Sequence, residues 1–246
     1  MPASPALHLT PQTSMLRQVT PTPDLTERVH QALLDAIVSG ELVPGERLTQ
    51  EQLADRLGVS RQPVLQALML LRGQGLIQDT ETRRGIRIAP LHDEHLVDRY
   101  RVRAALDGLA AASAAAKPRA DLVRGGRSLM AAGQRAAAHG DIAALVDADL
   151  RFHEFIYEAS GNPILTETVR PHWLHIRRAM HAFLRQPVSF EGVWREHEGI
   201  LKAIVAGDAD TAERLSRSHC ERSVEFLINT PHGDAHETQS RPARAV

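Results

Sequence analysis

Asp149 and His153 stand four residues apart, which puts a carboxylate and an imidazole on one face of a helix. His197 lies ten residues before Gly207, and His219 eleven residues after Asp208. If Gly207-Asp208 turns an antiparallel helical hairpin, both imidazoles sit ~15 Å from the turn and face each other across it. Three imidazoles and one carboxylate suit a divalent transition metal, with zinc favoured and nickel or manganese also matched. The same donors also build catalytic zinc centres, so a metal-dependent enzyme and a direct metal sensor both stand as alternatives. Glu154 and Glu198 are the nearest general bases in sequence, but each follows a candidate ligand and so points ~100° away around its helix. The chain has thirteen histidines, spread widely, so most are ordinary surface or interface residues. Cys220, next to His219, reads as core filling.

The elements that must position these groups are helical. Apolar periodicity with helix punctuation places helices at 93–116, 118–138, 141–160, 163–185, 189–206 and 208–229. Pro118, Gly140-Asp141, Gly161-Asn162-Pro163, Pro187 and Gly207-Asp208 separate them. Asp141 and Asp208 open two of these helices as N-caps. Gly125, Gly126 and Gly133 lower helix propensity in the second but allow close backbone packing.

Ahead of this region, Leu53, Ala54 and Leu57 line one face of a short helix that Gly58 ends in a left-handed conformation. Ser60 is placed to cap the next helix, and Arg61, Gln62 and Pro63 fill its first turn. Val64, Leu65, Leu68, Met69 and Leu71 give that helix its core side. This is a helix-turn-helix, whose second helix enters the DNA major groove through its N-terminal residues. A helix from Asp24 to Ser39 precedes it, and Thr49 caps the helix that contains Leu53. Leu76-Ile77 and Ile86-Arg87-Ile88 flank a polar tip and read as a two-stranded wing.

Charge tempers the DNA reading without excluding it. The 246-residue chain has a formal net charge of −1. Between Asp24 and Arg87, eight arginines face nine carboxylates, yet from Ser60 to Gln78 there are Arg61 and Arg72 and no carboxylate. Phosphate contacts need local charge on the docking face rather than a basic total. No apolar run approaches ~20 residues, which argues against a membrane span. The N-terminal stretch does not read as a secretory signal, and a single cysteine excludes an internal disulfide. A cytoplasmic location is expected. The layout is an arm at 1–22, a winged helix-turn-helix at 23–90, a helical domain at 91–230 and a flexible tail at 231–246. The fold class is mainly α, with a small β-wing ahead of an all-α bundle.

Ser39-Gly40-Glu41-Leu42-Val43-Pro44-Gly45-Glu46-Arg47-Leu48, with Leu53-Ala54, Gly58-Val59-Ser60-Arg61, Pro63-Val64, Ala67-Leu68, Gly75-Leu76 and Arg83-Arg84-Gly85, resembles the winged helix of GntR-family transcription regulators. The helical remainder resembles the FCD effector domain of the FadR branch, through Arg103, Leu106, Asp149, Phe152-His153, Gly161-Asn162, His197 and His219. The resemblance implies a homodimer on a palindromic operator, contacted through Arg47, Ser60, Arg61, Gln62, Arg84 and Gly85. It implies a metal on Asp149, His153, His197 and His219, and a small carboxylate effector met by Arg103 and Asn162. Arg103 read alone is a surface cation, and Asn162 read alone is a helix cap. Three positions depart from the family pattern: Leu65 replaces an arginine, and Gln66 and Asp107 replace glutamates. His175, Arg178, Trp173 and Trp194 are left between pocket and core. The implied activity is regulation, not catalysis.

Overall fold

The computed structural model describes residues 25–80, 85–117, 120–184 and 190–229. The expected arm at 1–22, the wing tip with Arg83 and Arg84, and the tail at 231–246 lie outside the described residues.

The N-terminal unit is built from α1 (Leu25–Ser39), β1 (Arg47–Leu48), α2 (Gln50–Leu57), α3 (Arg61–Gly73), β2 (Ile77–Asp79) and β3 (Ile86–Ile88). Local chemistry explains its turns. Thr49 forms a full capping box with Gln52, and Gly58 ends α2 at φ +64°. Ser60 occupies the N-cap position of α3, but its side chain makes no capping bond and stays exposed.

The three strands form one antiparallel sheet in the order β1-β3-β2. The two-stranded expectation missed β1, because two residues carry no alternation to read. Pairing with Arg87 and Ile86, not local pattern, makes Arg47–Leu48 a strand. A Cβ on Gly85 would lie 2.9 Å from the Leu48 carbonyl oxygen, so glycine is required where β3 approaches β1.

The face of α3 also differs from expectation. Val64, Ala67, Leu68 and Leu71 are buried, whereas Leu65 and Met69 are 40% and 60% exposed. Leu65 is one residue past the core-facing Val64, hence ~100° around the helix, and it shares an outer stripe with Arg61 and Met69.

The second unit contains α4 (Asp93–Ala115), α5 (Ala120–His139), α6 (Ile142–Ser160), α7 (Pro163–Phe183), α8 (Glu191–Ala206) and α9 (Ala209–Asn229). It has its own core, from Leu96 to Leu227, separate from the core that runs from Val29 to Ile88. Helix α4 is central and packs on α6, α7, α8 and α9, while α5 covers α6 and α8. Asp141 and Asp208 accept from backbone N–H groups of the first helical turns that follow them, as expected of N-caps. Gly207, at φ +75°, turns α8 into α9. None of the described helices is long and apolar enough to cross a membrane.

The glycines of α5 give the close packing their positions suggest. A Cβ on Gly133 would overlap the Trp194 indole, and one on Gly126 would overlap Leu201. The buried indole already fills the space that a Cβ would need, so ring or helix must shift to admit one. Gly133→Ala should therefore lower stability by about 1–3 kcal/mol despite alanine's better helix propensity, as read by chemical denaturation.

Candidate functional site

The hairpin of α8 and α9 brings His197 and His219 face to face, with their Nε2 atoms 3.1 Å apart. From α6, Asp149 Oδ1 lies 3.4 Å from His197 Nε2 and 3.9 Å from His153 Nε2. One donor atom from each of the four residues falls within 4.8 Å of the others, and all four side chains are buried. All four residues picked out by spacing therefore meet at one point.

What turns these atoms inward is a layer of carboxylates behind them. His153 Nδ1 lies 3.1 Å from Asp107 Oδ2, and His219 Nδ1 lies 2.8 Å from Glu196 Oε2. A carboxylate accepts from a proton-bearing Nδ1, which leaves Nε2 as the atom each ring turns toward the shared centre. Arg222 Nε holds the other Glu196 oxygen at 2.6 Å. His197 has no such carboxylate. Its ring stacks on Phe152 at a centroid distance of 4.2 Å and meets the Trp194 edge.

The donor chemistry leaves this centre short of positive charge. His153 Nε2 and His197 Nδ1 are buried with no hydrogen-bond partner among the described residues. Burial above all, then Arg103, holds His153 below the usual imidazole range. Burial, followed by the neighbouring His219 and His153, holds His197 well below it. Both rings are thus neutral near pH 7, the form in which imidazole binds metals. Three imidazoles and a carboxylate gathered around one buried point fit a divalent cation, and bonds of ~2.0–2.2 Å to it need only small side-chain shifts.

Asp107 is the hub of this region. It accepts from Arg103 Nε at 3.1 Å and from Cys220 Sγ at 3.1 Å, and the Tyr157 hydroxyl donates to its other oxygen. Burial alone would raise its pKa, but Arg103 and then His153 outweigh that and hold the carboxylate well below its usual range. Burial and Asp107 push both the Tyr157 hydroxyl and the Cys220 thiol up, so both stay protonated as donors. Cys220 is core, as expected, but it also helps fix the acid behind His153.

Arg103 is buried, not a surface cation; its guanidinium lies 4.3 Å from the Trp173 ring centroid. Beside it lies a cavity of about 40 Å³, bordered by Tyr100, Arg103, Asp149, Trp194, Ser223 and Phe226. Arg103 Nη2 is buried and has no hydrogen-bond partner among the described residues. Asn162 is not brought here. It is exposed and accepts from the Ile164 N–H at 3.1 Å, so the structure gives it the helix-cap role rather than a place in the cavity. Of the four aromatic and basic residues left open, Trp194 lines the cavity and Trp173 packs on Arg103. His175 and Arg178 instead meet the winged helix.

On the opposite unit, Ser60, Arg61 and Gln62 are exposed at the start of α3, and Arg47 is exposed on β1. Arg61 pairs with Glu51 on α2, an exposed pair that a stronger anion can displace.

Asp107 and Glu196 were not singled out from sequence as partners of the imidazoles. Asp107 carries a weak local signal, four residues after Arg103, but Glu196 merely precedes a ligand. Removing the Asp107 charge strands Arg103 in the core, so Asp107→Asn should cost about 3–5 kcal/mol at pH 7. A carboxyl with a depressed folded pKa contributes stability above its unfolded value of ~3.9 and loses it as pH falls below. Denaturation of both proteins should therefore show a gap that is full at neutral pH and narrows below pH ~4.

Comparison with known proteins gives this geometry its context. The sequence model described as "Bacterial regulatory proteins, gntR family" matches residues 25–88, and that of the FCD domain matches residues 98–222. The chain is 26% identical over 212 residues to a protein of Paenarthrobacter nicotinovorans named a probable D-xylose utilization operon transcriptional repressor, covering 85% of this chain and 90% of that one. It is 28% identical over 249 residues to an Escherichia coli protein named "Putative L-lactate dehydrogenase operon regulatory protein", with 90% of each chain covered. The solved structure of E. coli McbR/YncC superposes with a TM-score of 0.71 at 23% identity, covering 84% of this chain and 98% of that one. Both sequence relatives are named as operon regulators.

Proposed function

The chain belongs to the GntR family of bacterial regulatory proteins, in the FadR branch that carries an FCD domain, and from that premise we propose that it is a metal-containing repressor released by a small organic acid. Asp149, His153, His197 and His219 hold the metal, with zinc favoured over nickel and manganese. When bound, the metal supplies a fixed positive charge and a Lewis-acidic contact for a carboxylate. Arg103 supplies the second cationic contact from across the small cavity. The observation that carries this reading is the set of inward-facing acceptor atoms, braced by Asp107 and Glu196, beside a cavity that also presents Arg103.

The cavity's size narrows the effector class. About 40 Å³ is a few waters' worth of space, which favours a compact hydroxy or dicarboxylic acid over a long acyl chain. Operator binding runs through Arg61 with Ser60 and Gln62 on α3, Arg47 on β1, and Arg84-Gly85 of the wing. Homodimerisation follows from a palindromic site, since two recognition helices must meet two half-sites. A cytoplasmic location goes with this role. Effector binding acts by favouring one arrangement of the paired winged helices over another.

Metal analysis of purified protein should find about one ion per chain, reduced in His197→Ala and His219→Ala; full occupancy in both variants would discard this ligand set. Asp107→Asn, which leaves all four ligands in place, should weaken the metal by about 10–100-fold. Arg61→Ala should abolish operator binding in a gel-shift titration while the circular dichroism spectrum is kept. A thermal-shift screen of hydroxy acids and dicarboxylates then reads the effector. If metal alone changes operator affinity and no acid does, the ion itself is the signal.

A further inference from the structure

A second cavity, of about 180 Å³, lies where the winged helix meets the helical domain. Its charged and imidazole lining comes from the interdomain linker (His92), α4 (His95 and Arg99) and α7 (His175 and Arg178), and the winged helix contributes Gln78. No carboxylate is among the lining residues. Asp93, Glu94 and Asp98 adjoin lining residues in sequence but do not line the cavity, and Asp79, next to Gln78, is bonded to Arg72 at 2.6 Å. Neither Arg99 nor Arg178 has an ion-pair partner among the described residues.

Arg178 makes the site unusual. It is 2% exposed, and its Nη2 donates to the Ala89 carbonyl, yet its Nε is buried with no hydrogen-bond partner. His175 Nε2 donates to the Gln74 carbonyl at 3.0 Å, so α7 holds the winged helix through two donors to its backbone. Burial, then Arg99, pushes His175 down to about 4, so this ring adds a donor but no charge near pH 7. A buried guanidinium that shares a cavity with a second arginine, with no carboxylate in the lining, is a costly arrangement unless an anion completes it.

We propose that this junction cavity binds a small, doubly charged oxyanion between Arg99 and Arg178, separately from the metal-centred site. Two guanidiniums with directed N–H groups suit phosphate or a dicarboxylate. The cavity has room for either. An anion held there ties α4 and α7 to the Gln78 strand. Its occupancy therefore sets how firmly the DNA-binding unit is held against the helical domain.

Calorimetric titration of the full chain with inorganic phosphate, and separately with succinate, tests this in chloride buffer at constant ionic strength. Saturable binding of at least one of the two, at one site per chain, is expected. Arg99→Gln, at a half-exposed position, should weaken that binding at least tenfold, and Arg178→Met should do the same where it folds. Arg61→Ala and His219→Ala should leave it unchanged, so a failure of the metal reading does not touch this one. Absence of saturable binding by either anion, or equal affinity in Arg99→Gln, overturns the proposal. Loss in His219→Ala with retention in Arg99→Gln overturns it too, by moving the anion to the metal site.

Discussion

The helical domain is organised around acceptor atoms that face one another in the dark of the core. Ligand atoms of Asp149, His153, His197 and His219 do not converge without a cause, because polar atoms packed this closely interact strongly where no water screens them. Two carboxylates hold the arrangement from behind. Asp107 takes the outer nitrogen of His153, and Glu196 takes that of His219. Each bond sets a tautomer, and the tautomers together define a centre that asks for a cation. Arg103 balances Asp107 within α4, and Arg222 on α9 balances Glu196 on α8.

This demand reaches into the packing. His197 has no carboxylate and is positioned by Phe152 and Trp194 instead. Trp194 can lie against it only because α5 offers a glycine at 133, where a side chain would occupy the indole's volume. A residue that weakens its own helix thus shapes a site to which it contributes no atom. Cys220 and Tyr157 serve in a similar way, as protonated donors to Asp107 rather than as reactive groups.

The junction between the two units shows the same economy of contacts. Two side chains of α7 reach backbone carbonyls of the winged helix and the linker, at Gln74 and Ala89. Carbonyls at these places carry no sequence signature, so the residues that fasten the DNA-binding unit looked equally suited to a pocket or a core. Their positions six and nine residues beyond Val169 on α7 settle nothing without the partner domain.

Sequence by itself determined what is local. Helix starts at Thr49, Asp141 and Asp208, the left-handed ends at Gly58 and Gly207, and the i,i+4 pairing of Asp149 with His153 follow from backbone geometry within a turn or two. Even the meeting of His197 and His219 was legible, because a tight hairpin makes distance from the turn a coordinate. Tertiary structure decided what depends on partners remote in the chain. It buried Arg103, made Asp107 and Glu196 the braces of the imidazoles, left Asn162 as a cap, and turned Leu65 outward beside Arg61. It also made a strand of Arg47–Leu48. In each case the side chain's role is set by a contact that closes only when separate elements pack, and no spacing along the chain encodes that distance.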